Sequence, residues 1–219
     1  MKVCWALLNL AANPKWKERI TKEYNTLVAN HTNTLSTEPL HKRLASIPLN
    51  TWEDELPSVD LFIRETLRFT MIGSALRRNV QKDITVDGVT IKRGDFMVYS
   101  MCEAHMNPDI YSNPTSFDPD RYLEGREEDK KETFAFTGWG AGESGLNILR
   151  NKVSSPQPIP GRHPCAGIKI AKLEIKVVLA LMLLGYEYEL VNKSGKYPDT
   201  LPVPDRNDVI KVSWGLLFW

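Results

Sequence analysis

The chain has 219 residues, about one domain by length, and 42% of them are hydrophobic, enough to fill a core. With 28 basic against 27 acidic residues the formal net charge is +1, which argues against a nucleic-acid binder. Three widely spaced cysteines, Cys4, Cys102 and Cys165, suit neither a disulfide framework nor a zinc cluster and read as thiols in a reducing environment.

No apolar stretch reaches the roughly 18 residues expected of a membrane span. The opening MKVCWALLNLAANP has a lysine and then an apolar run, but the run is short and reads as a helix end rather than a signal peptide. A chain that begins in mid-helix is expected to be a fragment. Asn13 is the expected N-cap of the next helix and Pro14 its first residue. Over residues 15 to 30, Trp16, Ile20, Tyr24, Leu27 and Val28 form one apolar stripe opposite Lys15, Lys17, Glu18, Lys22 and Glu23. Residues 31 to 50 lack sustained periodicity and predict a loop with at most one short helical turn. Asn50 and Thr51 can cap, with Glu53 and Asp54 as first-turn acids, and Val59, Phe62, Ile63 and Leu67 mark a helix from Ser58 to Phe69 that ends near Gly73.

The period then changes. Short alternating runs between residues 75 and 101, separated by Asp87-Gly88 and Arg93-Gly94-Asp95, predict a small antiparallel sheet. Three prolines, Pro108, Pro114 and Pro119, make residues 107 to 122 extended and turning. Residues 168 to 184 fit a helix, apolar enough in its second half to be buried on most sides. The tail from Tyr186 reads as a strand followed by coil. The fold class is therefore mainly α with a small antiparallel β-sheet.

Two features carry chemistry. Glu65 and Arg68 stand three apart on the helix 58 to 69, close enough to pair on one face. The glycine-rich run Phe136-Thr-Gly-Trp-Gly-Ala-Gly142 is followed by 19 residues of different character, 143 to 161, and then by Arg162-His-Pro-Cys-Ala-Gly167. Without the middle, the line reads FTGWGAGRHPCAG.

That joined string resembles the haem-ligand loop of the cytochrome P-450 superfamily, with Trp139, Gly140, Gly142, Arg162, Cys165 and Gly167 in register. Glu65, Arg68 and Arg121 of FDPDRY match the family's structural network, in which a Glu-x-x-Arg helix is locked by an arginine from a Pro-rich meander. The similarity extends over nearly the whole chain and is closest in flavour to fungal members near the sterol-demethylase-like branch. The resemblance implies the C-terminal half of that fold, with haem b (iron-protoporphyrin IX) as cofactor and Cys165 as axial ligand to the iron. A thiolate ligand favours O–O cleavage. His163, Arg162 and Arg78 would contact the haem edge, with Arg77 competing with Arg78. The implied partners are O2, a lipophilic substrate such as a terpenoid or sterol, sought near Met71 to Leu76, and an NADPH-dependent flavoprotein reductase. Arg162, Lys169, Lys172 and Lys176 could face that reductase, or form a solvated helix face. Full-length members are usually anchored in the endoplasmic-reticulum membrane.

Two departures qualify this. The family's oxygen-activating acid and threonine have no counterpart in residues 1 to 12. They are expected to lie before Met1, so the resemblance implies no catalytic residue of that kind within the 219. Residues 143 to 161 separate the glycines from the cysteine, either as a genuine surface loop or as a translated intron. In the second case, Gly142-Glu143-Ser144 can be spelled with a splice donor and Pro160-Gly161 with an acceptor. The expectation is a monooxygenase by family, inactive as this chain alone; the alternative is a truncated, non-catalytic product that does not bind haem properly.

Overall fold

A computed structural model describes residues 2–33, 37–71, 74–140, 165–192, 194–200, 203–205 and 215–218. Helix α1 (Lys2–Ala12) buries Trp5 through Leu10, and α2 (Pro14–His31) buries Trp16, Ile20, Tyr24, Leu27 and Val28, the stripe that the spacing predicts. Asn13 holds the N-cap position without capping. Its side-chain Nδ2 donates back to the Asn9 carbonyl at 2.7 Å, and the helix start rests on Pro14.

The stretch expected to be mostly loop holds α3 (Leu40–Ala45) and runs into α4 (Leu49–Asp54). Neither helix has an apolar period long enough to announce itself, but Leu44, Ile47 and Trp52 are buried in the main core, and that burial holds them. Asn50 and Thr51 lie inside α4 rather than capping a helix. Helix α5 (Pro57–Phe69) is capped from elsewhere: the amides of Ser58 and Val59 each donate, at 3.0 Å, to the carboxylate of Glu23 on α2. A carboxylate at that end satisfies orphan donors and complements the helix dipole.

The expected sheet resolves into two antiparallel pairs. Strand β1 (Ser74–Arg78) pairs with β4 (Phe96–Ser100), placing Leu76 opposite Val98 and Arg78 opposite Phe96; β2 (Ile84–Val86) pairs with β3 (Val89–Ile91). The second hairpin turns at Asp87-Gly88, both with positive φ (47° and 79°), as a tight two-residue turn requires. After α6 (Met101–Met106) the chain runs irregularly to Gly140, broken by 3-10 turns at Pro119–Tyr122 and Glu128–Lys130. Helix α7 (Ile168–Gly185) leads into β5 (Tyr188–Val191), which pairs with β6 (Gly215–Phe218) inside the tail expected to be coil.

The largest buried cluster joins α1 to α5, α7 and β5. Ile175, Lys176, Leu179 and Ala180 of α7 are buried, and Leu181 to Leu184 are partly buried against the same core. The architecture is mainly α with small antiparallel β-pairs, as the sequence indicates.

Candidate functional site

Glu65 sits at the centre of a buried polar network. Its carboxylate accepts from Arg68 Nε (2.8 Å) and Nη2 (2.7 Å), Arg121 Nε (3.1 Å), Tyr122 Oη (2.8 Å) and the Asp118 amide (2.9 Å). Glu65, Arg68 and Arg121 are all 0% exposed. Two guanidiniums around one carboxylate offset much of the desolvation that an isolated buried charge would suffer. Burial works against the charge of Arg68, but its bond to Glu65 and the adjacent carboxylate charge win and raise its pKa. Burial first, then the charge of Glu65, pushes Tyr122 well above the usual phenol value, so it remains a donor.

The remaining donors of the two arginines order the irregular segment. Arg68 donates to the carbonyls of His105, Pro114 and Ser116, and Arg121 to those of Ser112 and Ser116. Arg121 also reaches the Glu128 carboxylate at 2.5 Å, where Ser112 and Arg126 converge. Glu128, Tyr122 and His105 join the network only through the tertiary structure. Tyr122 had a signal, its place beside Arg121 in FDPDRY, whereas Glu128 lies in the charge run EGREEDKK, which reads as solvated.

From this network the chain leads to the cysteine. His105, fully buried, accepts from the Thr137 amide through Nε2 at 2.9 Å and stacks on Phe136 with ring centroids 5.3 Å apart. A Cβ at Gly138 would lie 2.4 Å from the Phe136 ring, and Gly140 has φ of 87°, so both positions suit glycine. Beyond them the carbonyl of Trp139 accepts from the amide of Cys165 at 3.1 Å. The Cys165 thiol is free and exposed, one turn before α7.

The structure thus brings Glu65, Arg68 and Arg121 together and sets Cys165 against the glycine-rich run. Arg78 is exposed on β1; its Nε donates to the Gly94 carbonyl and its guanidinium lies over Phe96. Arg77 is exposed and donates to its neighbour's carbonyl. His163, Arg162, Gly142 and residues 143 to 161 lie outside the described residues. So does Met1, the residue before which the oxygen-activating threonine is expected, and none of the described residues is assigned that threonine's role. Of the expected substrate stretch, Met71 is buried and Leu76 exposed.

The possible reductase face needs one correction. Lys169 and Lys172 are accessible, but Lys176 is 2% exposed, its ammonium donating to the Trp52 carbonyl and to Asp60 at 3.0 Å. It cannot meet a partner.

The residues present fit a haem. The donor is a free, accessible thiol on a restrained backbone. On the strand pair β1–β4, Leu76, Phe96 and Val98 are exposed on the face that also carries Arg78, a combination that suits an apolar ring with anionic edge groups, while Arg77 lies on the opposite face.

A sequence profile of the cytochrome P-450 family matches residues 1–144. The chain is 35% identical over 195 residues to the cytochrome P-450 monooxygenase AacuE of Aspergillus aculeatus, an alignment that covers 87% of this chain and 35% of that protein. It is 31% identical to the cytochrome P-450 monooxygenase nsrP of Aspergillus novofumigatus, over 88% of this chain and 34% of that protein. A sterol 14alpha-demethylase of Mycolicibacterium vanbaalenii is 26% identical over 88% of this chain and 35% of that protein. The chain spans about a third of the length of these curated relatives.

Proposed function

Because the chain belongs to the cytochrome P-450 family, we propose that it contributes the haem-ligand part of a monooxygenase that inserts one oxygen atom from O2 into a lipophilic small molecule, of the terpenoid or sterol kind. The thiolate of Cys165 would hold the iron of haem b, Arg78 with Arg162 and His163 would bind the anionic groups of the haem, and Glu65, Arg68 and Arg121 would hold the irregular segment that leads to the cysteine. The bound haem would supply oxygen activation. The protein's part is to hold the thiolate in place, with the Cys165 amide tied to the Trp139 carbonyl. Electrons come from an NADPH-dependent flavoprotein reductase, with Lys169 and Lys172 on the accessible face. No helix among the described residues is long and apolar enough to cross a membrane; association with the endoplasmic-reticulum membrane belongs to the same proposal.

The observation that carries this is the bond between the Cys165 amide and the Trp139 carbonyl, because it supports presentation of the thiol despite the interruption. The interruption itself favours the second reading, a non-catalytic product. Haem titration separates the two, using this chain with and without residues 143 to 161 and the same pair joined to the N-terminal two-thirds of a fungal relative. The expected result is a thiolate-type carbon-monoxide difference band in the joined protein, lost in Cys165→Ser, with no stable band from the chain alone. No such band in the joined protein lacking 143 to 161 would overturn the enzyme reading.

A further inference from the structure

We propose that His105 is a positioning residue that couples the buried Glu65–Arg68–Arg121 network to the placement of Cys165; this rests on Cys165 being the functional thiol. The His105 backbone is held by the network, since Arg68 Nη1 donates to its carbonyl at 2.8 Å. Its ring holds the glycine-rich run. An amide can only donate, so the 2.9 Å contact from the Thr137 amide requires a lone pair on Nε2, and the ring is in its neutral form with the proton on Nδ1.

The same ring stacks on Phe136 at an interplanar angle of 15°, and the Arg64 guanidinium lies over Phe136 at 4.3 Å. Gly138 leaves no slack, as its α-carbon approaches the Phe136 ring and Leu67 too closely for a side chain. Phe136 and Thr137 are thus fixed by His105 through a stack and a hydrogen bond. Two residues further on, Trp139 offers the carbonyl that receives the Cys165 amide. Every step from Arg68 to Cys165 is a direct contact or a short covalent span. A purely apolar ring at position 105 could fill the space but would leave the Thr137 amide buried and unpaired.

The test is amide hydrogen exchange on the full chain, which needs no bound haem. His105→Phe keeps the stack and removes the acceptor; His105→Gln keeps an acceptor and removes the ring. In His105→Phe, exchange at both Thr137 and Cys165 should accelerate about tenfold or more, as expected for the loss of one buried hydrogen bond, while amides of α2 stay as in the wild type. In His105→Gln, Cys165 should stay within about threefold of the wild type.

Faster exchange at Thr137 with Cys165 unchanged would overturn the proposal, because the contact would then transmit nothing. Uniform acceleration across α2 as well would overturn it too, by showing a role in general stability alone. If His105→Phe does not fold, His105→Gln decides, and loss of Cys165 protection with Thr137 still protected would refute the coupling. In the joined protein a thiolate-type band should be weakened by His105→Phe and retained by His105→Gln. Absence of any band in the unsubstituted joined protein would count against the haem assignment, while the exchange data would still judge His105.

Discussion

The amide of Cys165 donates to the carbonyl of Trp139 at 3.1 Å, so the two halves of the interrupted motif meet across residues 141 to 164. Closing a longer loop costs only slowly growing entropy once its ends adjoin. Deleting residues 143 to 161 should therefore raise stability by on the order of 1–2 kcal/mol, read as a higher urea midpoint at unchanged slope. Exchange of the Cys165 amide should be the same in both proteins. Loss of its protection on deletion would mean that the insertion itself holds the cysteine in place.

Glu65 is the network's shared acceptor, and its removal leaves two buried guanidiniums without it. Glu65→Gln should destabilise the chain by about 3–5 kcal/mol, the range for breaking a buried ion pair on one side. Arg121→Lys keeps the charge but cannot reproduce the planar set of donors to Glu65, Ser112, Ser116 and Glu128. It should be nearer the Glu65 substitution than a neutral one in a urea titration.

Glu128 gives the network a pH dependence. Burial alone would raise its carboxyl pKa, but hydrogen bonds from Ser112, Arg126 and Arg121 outweigh burial and bring it from 4.5 to about 2. A folded-state pKa below the unfolded one means that the unfolded chain binds the proton more readily. The stabilisation is therefore complete above about pH 4.5 and is lost as pH falls towards 2. Glu128→Gln should remove this part of the acid sensitivity, as measured by stability between pH 5 and 2.5, a window of about those two limits.

Lys172 and Lys176 both pair with Asp60, yet they should behave differently. Lys176 is buried and also donates to the Trp52 carbonyl, so Lys176→Ala should cost about 2–4 kcal/mol. Lys172 is accessible at 3.4 Å from Asp60, and Lys172→Ala should cost less than about 1 kcal/mol. Thermal or urea unfolding of the two variants checks the contrast.

Helix periods long enough to count were legible: the α2 stripe, the Val59–Leu67 face of α5 and the helix after Cys165 all appear where their apolar spacing puts them. The Asp87-Gly88 turn was legible because its chemistry is local. What stayed hidden depended on distant partners. Helices α3 and α4 exist because Leu44 and Trp52 find a core, α5 is capped by Glu23 from another helix, and β6 forms only against β5.

The sequence by itself determined the family, through a split glycine run ahead of Cys165 and through Glu65, Arg68 and Arg121 in order, because those residue types at those spacings have few other uses together. Only the tertiary structure decided that Lys176 faces inward, that Glu128 and Tyr122 complete the buried network, that His105 spans from Arg68 to the glycine-rich run, and that Trp139 still meets Cys165. Those outcomes depend on burial and on hydrogen bonds between residues far apart in the chain, which local spacing does not encode.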